Sequence, residues 1–203
     1  MHADGPGSRP TLQTTAEEIR CIAGAKHGDH ASFEALVDRY MRSAIAVAQG
    51  YVGNREDALD LAQEAFYRVF KTLDRFREGE PFAPWFFQIL RNACLSFLEK
   101  YRKRRAFSIH AKDEDQDDYP LESDELAPET QAELNETQQQ FWIAMTRLSL
   151  KHREILMLRE FENLDYAAIA QVLAIPIGTV MSRLFHARHK LRAEMEPYME
   201  GRL

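Results

Sequence analysis

The chain is predicted to be all-α, built as two small helical domains joined by a flexible acidic linker. Apolar residues recur at helical spacing along most of its length, and the alternation that marks strands is nearly absent. Between residues 106 and 135 the periodicity is lost, and Asp, Glu, Ser and the prolines Pro120 and Pro128 take over, as in a chain with too little apolar surface to fold. At 203 residues, 45% hydrophobic and 29% charged, there is enough apolar side chain for two modest cores. The expected division is a disordered tail over 1–14, a first domain over 15–105, the linker over 106–135, a second domain over 136–198 and a short tail over 199–203.

A short helix is expected over 15–27. The next begins near Asp29 or Ser32, carries Phe33, Leu36, Val37 and Tyr40 on one side, and is interrupted by Gly50 and the turn-like Gly53-Asn54. The third places Leu61, Ala62, Ala65, Phe66, Val69, Phe70 and Leu73 on one stripe, against Asp57, Asp60, Gln63, Glu64, Tyr67, Arg68 and Lys71 on the other. A loop over 76–84 follows, containing Gly79 and Pro81, with Pro84 suited to a first helical position. It leads into PFAPWFFQILRNACLSFLEKYRKRR, residues 81–105, whose helix has Phe86, Ile89, Leu90, Ala93 and Phe97 on its core face and a basic run at its end.

In the second domain, HREILMLREFENLDYAAIAQVLAIPIGTVMSRLFHARHKLR has the spacing of a helix-turn-helix. Ile155, Leu156, Leu158 and Phe161 belong to one helix. Asp165 caps a second that carries Ile169, Ala170 and Leu173. Ala174-Ile175-Pro176 turns, and Val180, Leu184 and Leu191 mark a third; small Ala170 lets the helices approach closely.

Net charge is −6, from 26 basic and 32 acidic residues, which argues against a nucleic-acid binder until its distribution is considered. The stretch 106–135 holds ten acidic residues against Lys112 alone, so it carries −9 and the remainder is +3. Cys21 and Cys94 are too few for a disulfide framework and have no metal-ligand spacing, so they are expected to be reduced thiols. The N-terminal stretch lacks the apolar core of a signal peptide, and no segment approaches a membrane span, so a cytoplasmic location without membrane insertion is expected. His186 and His189 stand at i, i+3 without a third ligand nearby. No nucleophile with a base, phosphate-binding glycine loop or paired-carboxylate signature is present. No catalysis, cofactor or metal is expected.

Three surfaces are candidates for function. The helix from Ile177 to Arg192 exposes Thr179, Ser182, Arg183, His186, Arg188, His189 and Lys190; Ser182, Phe185 and His186 lie within reach of base edges, and the cations of phosphates. Its plainer alternative is a solvated helix whose cations complement the helix dipole. The face Asp60, Gln63, Glu64, Tyr67, Arg68 is a protein-binding surface or simply a solvated one. In 76–105, Phe86 and Phe97 are core, whereas Phe76 and Phe82 in a Gly/Pro loop are less easily explained by burial, and aromatics beside cations hold unstacked bases.

The order of these parts, DALDLAQEAFYRVF, then FAPWFFQILRNACLSFLEKYRKRR, an acidic linker and GTVMSRLFHARHKLR, resembles the bacterial RNA polymerase sigma factors of the sigma-70 family, extracytoplasmic function (ECF) subfamily, over residues 15–195. The resemblance implies that 15–105 is region 2 and 136–198 region 4. It implies that Asp60, Gln63, Glu64, Tyr67 and Arg68 grip the beta-prime clamp helices of core RNA polymerase. Phe76, Trp85 and Asn92 would capture an extruded base of single-stranded −10 DNA, with Lys100, Arg102, Lys103, Arg104 and Arg105 on its backbone. Thr179, Ser182, Arg183, Phe185, His186, Arg188 and Lys190 would read the double-stranded −35 element, region 4 would dock on the beta flap, and an anti-sigma factor would control the chain. Three positions depart from the family pattern: Ser149 stands for a common proline, His186 for a frequent arginine, and Ser96 for an acidic or amide residue. The competing readings are a helix-turn-helix repressor or activator that binds duplex DNA without polymerase, and a helical adaptor that binds only protein.

Overall fold

The structure, a computed structural model, describes residues 15–108 and 136–199. The tail expected over 1–14, the linker beyond 108 and the tail beyond 199 lie outside the described residues. All regular structure among these is helical. The first bundle comprises α1 (Ala16–Lys26), α2 (His30–Val52), α3 (Arg55–Thr72), a 3₁₀ turn (Leu73–Arg75) and α4 (Phe82–Ser108). The second comprises α5 (Glu136–Thr146), α6 (Leu150–Leu156) running into a π turn (Met157–Phe161), α7 (Tyr166–Leu173) and α8 (Ile177–Met199).

Helix starts follow local chemistry. Thr15 accepts the Glu18 amide at 3.2 Å, Asp29 that of Ala31 at 3.2 Å, Asn54 that of Asp57 at 2.8 Å and Asp165 that of Ala168 at 2.8 Å, each satisfying a donor that has no partner inside its helix. Helix α4 begins at Phe82, two residues before Pro84, and continues three residues past 105. Pro84 still falls in the first turn, where an absent N–H costs no intrahelical bond. Gly50 does not interrupt α2; the helix runs through it and ends at Gly53, whose φ of 79° is the left-handed conformation a C-cap favours. Gly50 is there for space. A Cβ at this position would sit 2.7 Å from Cγ of Met157, a residue of the second bundle.

The first core is aromatic. Phe66 lies 4.8 Å from Phe86, and Tyr40 lies 5.4 Å from both Phe82 and Phe86, centroid to centroid, within the range of favourable edge and offset pairs. Phe82, Phe86 and Phe87 are fully buried. Phe70, expected on the core stripe of α3, is instead 48% exposed, its ring 5.2 Å from Phe33 in an edge-on pair. Phe161, grouped with Ile155, Leu156 and Leu158 on one helix, ends the π turn instead and is 40% exposed, its ring 5.8 Å from Phe141 and 6.0 Å from Trp142.

In the second bundle Arg153 is fully buried and donates to the carbonyls of Thr146 and Leu148, at 3.1 and 2.8 Å, closing the C-terminal end of α5. The α7–α8 corner bends by 97°. Ala174 adopts a left-handed conformation there (φ 54°), and its neighbour Ile175 donates to Ala170 at 3.1 Å. Ile169, Leu173, Val180, Leu184 and Ala187 fill the angle, which is the helix-turn-helix geometry that the spacing predicts.

The two bundles are closed on one another. α2 packs on α6 and the π turn, and α4 packs on α7. One carboxylate organises this seam. Glu154, 4% exposed, accepts from the Tyr51 hydroxyl and from Arg91 Nε, both at 3.1 Å on Oε2, and from Arg183 at 3.4 Å on Oε1.

Candidate nucleic-acid interface

The α3 face is where its sequence pattern predicts. Asp60, Gln63, Glu64 and Tyr67 are exposed, and Arg68 is half-exposed with Nε donating to Glu64 at 2.7 Å across one helical turn. Tyr67 is 58% exposed, and the Lys71 ammonium stands 5.4 Å from its ring. The surface thus carries both signs of charge around one large aromatic, a composition suited to protein contact.

The stretch from Phe76 through α4 divides differently from its expectation. Phe76 and Phe82 are core residues, 5% and 0% exposed; this corrects the expectation that burial does not explain them and that the Phe76 ring meets a base. The short chain between the 3₁₀ turn and α4 folds the Phe76 ring inward onto Phe82 and Trp85, at 5.6 and 4.9 Å, and Lys26 Nζ anchors the Phe76 carbonyl at 2.6 Å. Trp85 is half-buried behind it. Asn92, Lys100, Arg102, Lys103 and Arg104 are exposed along α4, with Lys103 paired to Glu99 at 2.7 Å; the Arg105 side chain lies outside the described residues. Arg91, absent from the predicted site, turns toward the seam and Glu154.

On α8, Ser182, Phe185, His186, Arg188 and Lys190 are exposed and Thr179 is half-exposed near the helix start. Phe185 is 68% exposed, edge-on to His186 at 5.4 Å. An apolar ring so open on a cationic helix suits contact with a thymine methyl or a sugar. Arg188 makes a fork to one oxygen of Glu160, at 2.9 and 2.6 Å. Arg183 departs from the predicted row: its guanidinium faces the seam and Glu154, with the side chain 18% exposed. Beside this helix runs a groove of about 830 Å³, lined on one wall by Leu156, Glu160 and Tyr166 and on the other by Met181, Phe185 and Met195.

Among the described residues no group of three His, Cys, Asp or Glu side chains is placed to hold a metal ion, and no single helix is long and apolar enough to cross a membrane. Cys94 is buried, which pushes its thiol up to about 12 and leaves it in the unreactive protonated form.

A helical bundle exposing a mixed-charge face and a cationic helix, packed on a second bundle that presents a helix-turn-helix, has the build of a DNA-binding protein with a further exposed surface. Residues 36–105 match the family model for Sigma-70 region 2, and residues 138–191 that for Sigma-70 region 4. The RNA polymerase sigma-H factor of Pseudomonas aeruginosa is 30% identical over 93% of this chain and 98% of its own. The ECF RNA polymerase sigma-E factor of Escherichia coli K12 is 30% identical over 87% of this chain and 93% of its own. The chain belongs to the sigma-70 family, as an ECF sigma factor. Its fold is shared with the sigma factor RpoE of Bartonella quintana in co-crystal with the anti-sigma factor NepR, at a TM-score of 0.65 and 24% identity over 81% of this chain and 96% of that one. CnrH in complex with the cytosolic domain of CnrY superposes with a TM-score of 0.63 at 20% identity, over 89% of this chain and 98% of that one.

Proposed function

We propose that this sigma factor joins core RNA polymerase in the cytoplasm through the α3 face and directs it to promoters read at two elements. Residues 15–105 act as region 2 and 136–198 as region 4. Asp60, Gln63, Glu64, Tyr67 and Arg68 meet the beta-prime clamp helices, and region 4 docks on the beta flap. Thr179, Ser182, Phe185, His186, Arg188 and Lys190 read the −35 duplex. Trp85 and Asn92, with the basic end of α4 at Lys100, Arg102, Lys103, Arg104 and Arg105, hold the single-stranded −10 element. Region 2 needs no bond chemistry for melting: stacking and backbone contacts, about 1–3 kcal/mol per captured base, offset an unstacking cost of a few kcal/mol. An anti-sigma factor is the proposed negative regulator, supported by the solved relative from Bartonella quintana, which is bound to the anti-sigma factor NepR.

The observation that carries this reading is the pairing of the two region matches, in order, with the exposed row Ser182, Phe185 and His186 on the second helix of the turn motif. The test is to mix the protein with core RNA polymerase, separate by size, and assay initiation on genomic promoter fragments. Co-elution with new start sites is expected. Duplex binding without polymerase association would favour the repressor reading instead.

A further inference from the structure

The seam between the two bundles contains a second carboxylate with the opposite character to Glu154. Glu162, just past the π turn, is 1% exposed, and neither of its oxygens meets a donor with good hydrogen-bond geometry; the Ser43 hydroxyl is near enough to oppose its neutralisation but is too poorly placed to satisfy it. Across the seam stands Ser43 of α2, the one side chain that acts on it. Other charged or titratable groups on the surrounding elements are committed elsewhere. On α2, Arg39 points to Glu18 at 3.8 Å, Arg42 is exposed, and Tyr51 binds Glu154. Arg91 on α4 and Arg183 on α8 share that same carboxylate, and Arg159 of the π turn donates to the Leu164 carbonyl at 2.8 Å. An ionised carboxylate buried without a donor is among the costlier arrangements a protein can hold.

The closed form also has a functional meaning, which rests on the proposed promoter reading. Elements at −35 and −10 are separated by about 25 base pairs, or about 85 Å of B-form duplex at 3.4 Å per step. Arg91, beside Asn92 on the −10 surface, and Arg183, on the −35 helix, here touch opposite oxygens of one carboxylate. In the same seam α7 faces Pro81 and Pro84, at the start of α4, across a small pocket. A molecule in this form cannot span both elements. We propose that the seam is a proton-operated latch, in which Glu154 holds the self-occluded form closed and ionisation of Glu162 opens it.

Burial raises the Glu162 carboxyl to about 7 in the closed form, from an ordinary 4.5, against the opposing hydrogen bond of the Ser43 hydroxyl. Opening the seam returns it to solvent. The closed form is therefore favoured fully below 4.5, loses ground as pH rises through the window from 4.5 to 7, and levels off above it. Between pH 5.5 and 8 the closed-to-open ratio falls about thirtyfold by this linkage.

The experiment is small-angle scattering on the full chain at pH 5.5 and 8, for the wild type, Glu162→Gln, Glu154→Gln and the double variant, with circular dichroism confirming helical content. The radius of gyration should grow with pH in the wild type or, where the latch is too tight to see, in Glu154→Gln. Adding Glu162→Gln should abolish that growth. A radius independent of pH in both the wild type and Glu154→Gln overturns the latch, as does a pH response that survives Glu162→Gln. None of these measurements involves polymerase. Failure here leaves the sigma-factor reading standing, and failure to bind polymerase leaves the latch standing.

Discussion

Replacing Arg153 by Met removes a buried guanidinium while keeping most of its volume, and it isolates what holds the second bundle together. The side chain is fully buried and its Nη1 reaches the carbonyls of Thr146 and Leu148, at 3.1 and 2.8 Å, just where α5 has run out of its own donors. Hydrogen bonds from a charged donor contribute about 1.5–3 kcal/mol each. Two of them, with the freed carbonyls partly rehydrated, put the loss at about 3 kcal/mol. A bundle of the size of 136–199 is stable by only about 3–10 kcal/mol, so the variant should stand near its folding threshold. Hydrogen exchange by peptide on the full chain measures this directly. Amides within 136–199 should exchange about a hundredfold faster, since each 1.4 kcal/mol is a factor of ten, while α1 to α3 keep their protection. Less than a threefold change in the second bundle would refute the assignment of Arg153 as its structural anchor.

Asp60→Arg, on the exposed face of α3, should abolish co-elution with core polymerase and leave the circular dichroism spectrum unchanged; retained binding would remove this face from the interface. Arg188→Ala should weaken promoter binding and lower the slope of log affinity against log salt by about one, as measured by fluorescence anisotropy. Tyr40→Phe deletes the 2.6 Å bond to the buried Glu18 carboxylate and should destabilise the first bundle by about 1–3 kcal/mol in urea unfolding. Asp165→Ala leaves the Ala168 amide without its cap and should cost about 1 kcal/mol by the same assay, with reduced −35 affinity as the turn loosens.

The fold was legible because its signals are local. Thr15, Asp29, Asn54 and Asp165 declare helix starts through side chains that reach only two or three residues ahead. The helix-turn-helix was legible for a related reason: Ile169, Leu173, Val180, Leu184 and Ala187 form one apolar row interrupted by a turn of fixed length. Gly50 reads as a break in sequence yet lies inside α2, because its requirement is tertiary. A glycine in mid-helix normally weakens the helix, but here it admits Met157 from a distant part of the chain. Phe76 and Phe82 are buried for the same kind of reason. Gly and Pro predict a loop correctly up to Pro81, but a short loop between packed helices turns the Phe76 ring inward, and Phe82 already belongs to α4.

The candidate site shows a similar division, with a consequence for how exposure should be argued from sequence. Asp60, Gln63, Glu64 and Tyr67 were recoverable because they lie opposite an apolar stripe on one helix. Arg183 and Arg91 were not, because a cation on an amphipathic helix is exposed only if nothing acidic packs over it, and Glu154 lies 29 and 63 residues away in sequence. That carboxylate binds three donors from three other helices, so truncating it would leave Tyr51, Arg91 and Arg183 all unsatisfied at a closed interface. Glu154 is thus unlike Glu162, which no charged donor faces and which only the Ser43 hydroxyl approaches. Two glutamates eight positions apart, indistinguishable by composition or helical register, therefore have opposite effects on the same seam, and only the partners that the fold brings to each of them set the sign.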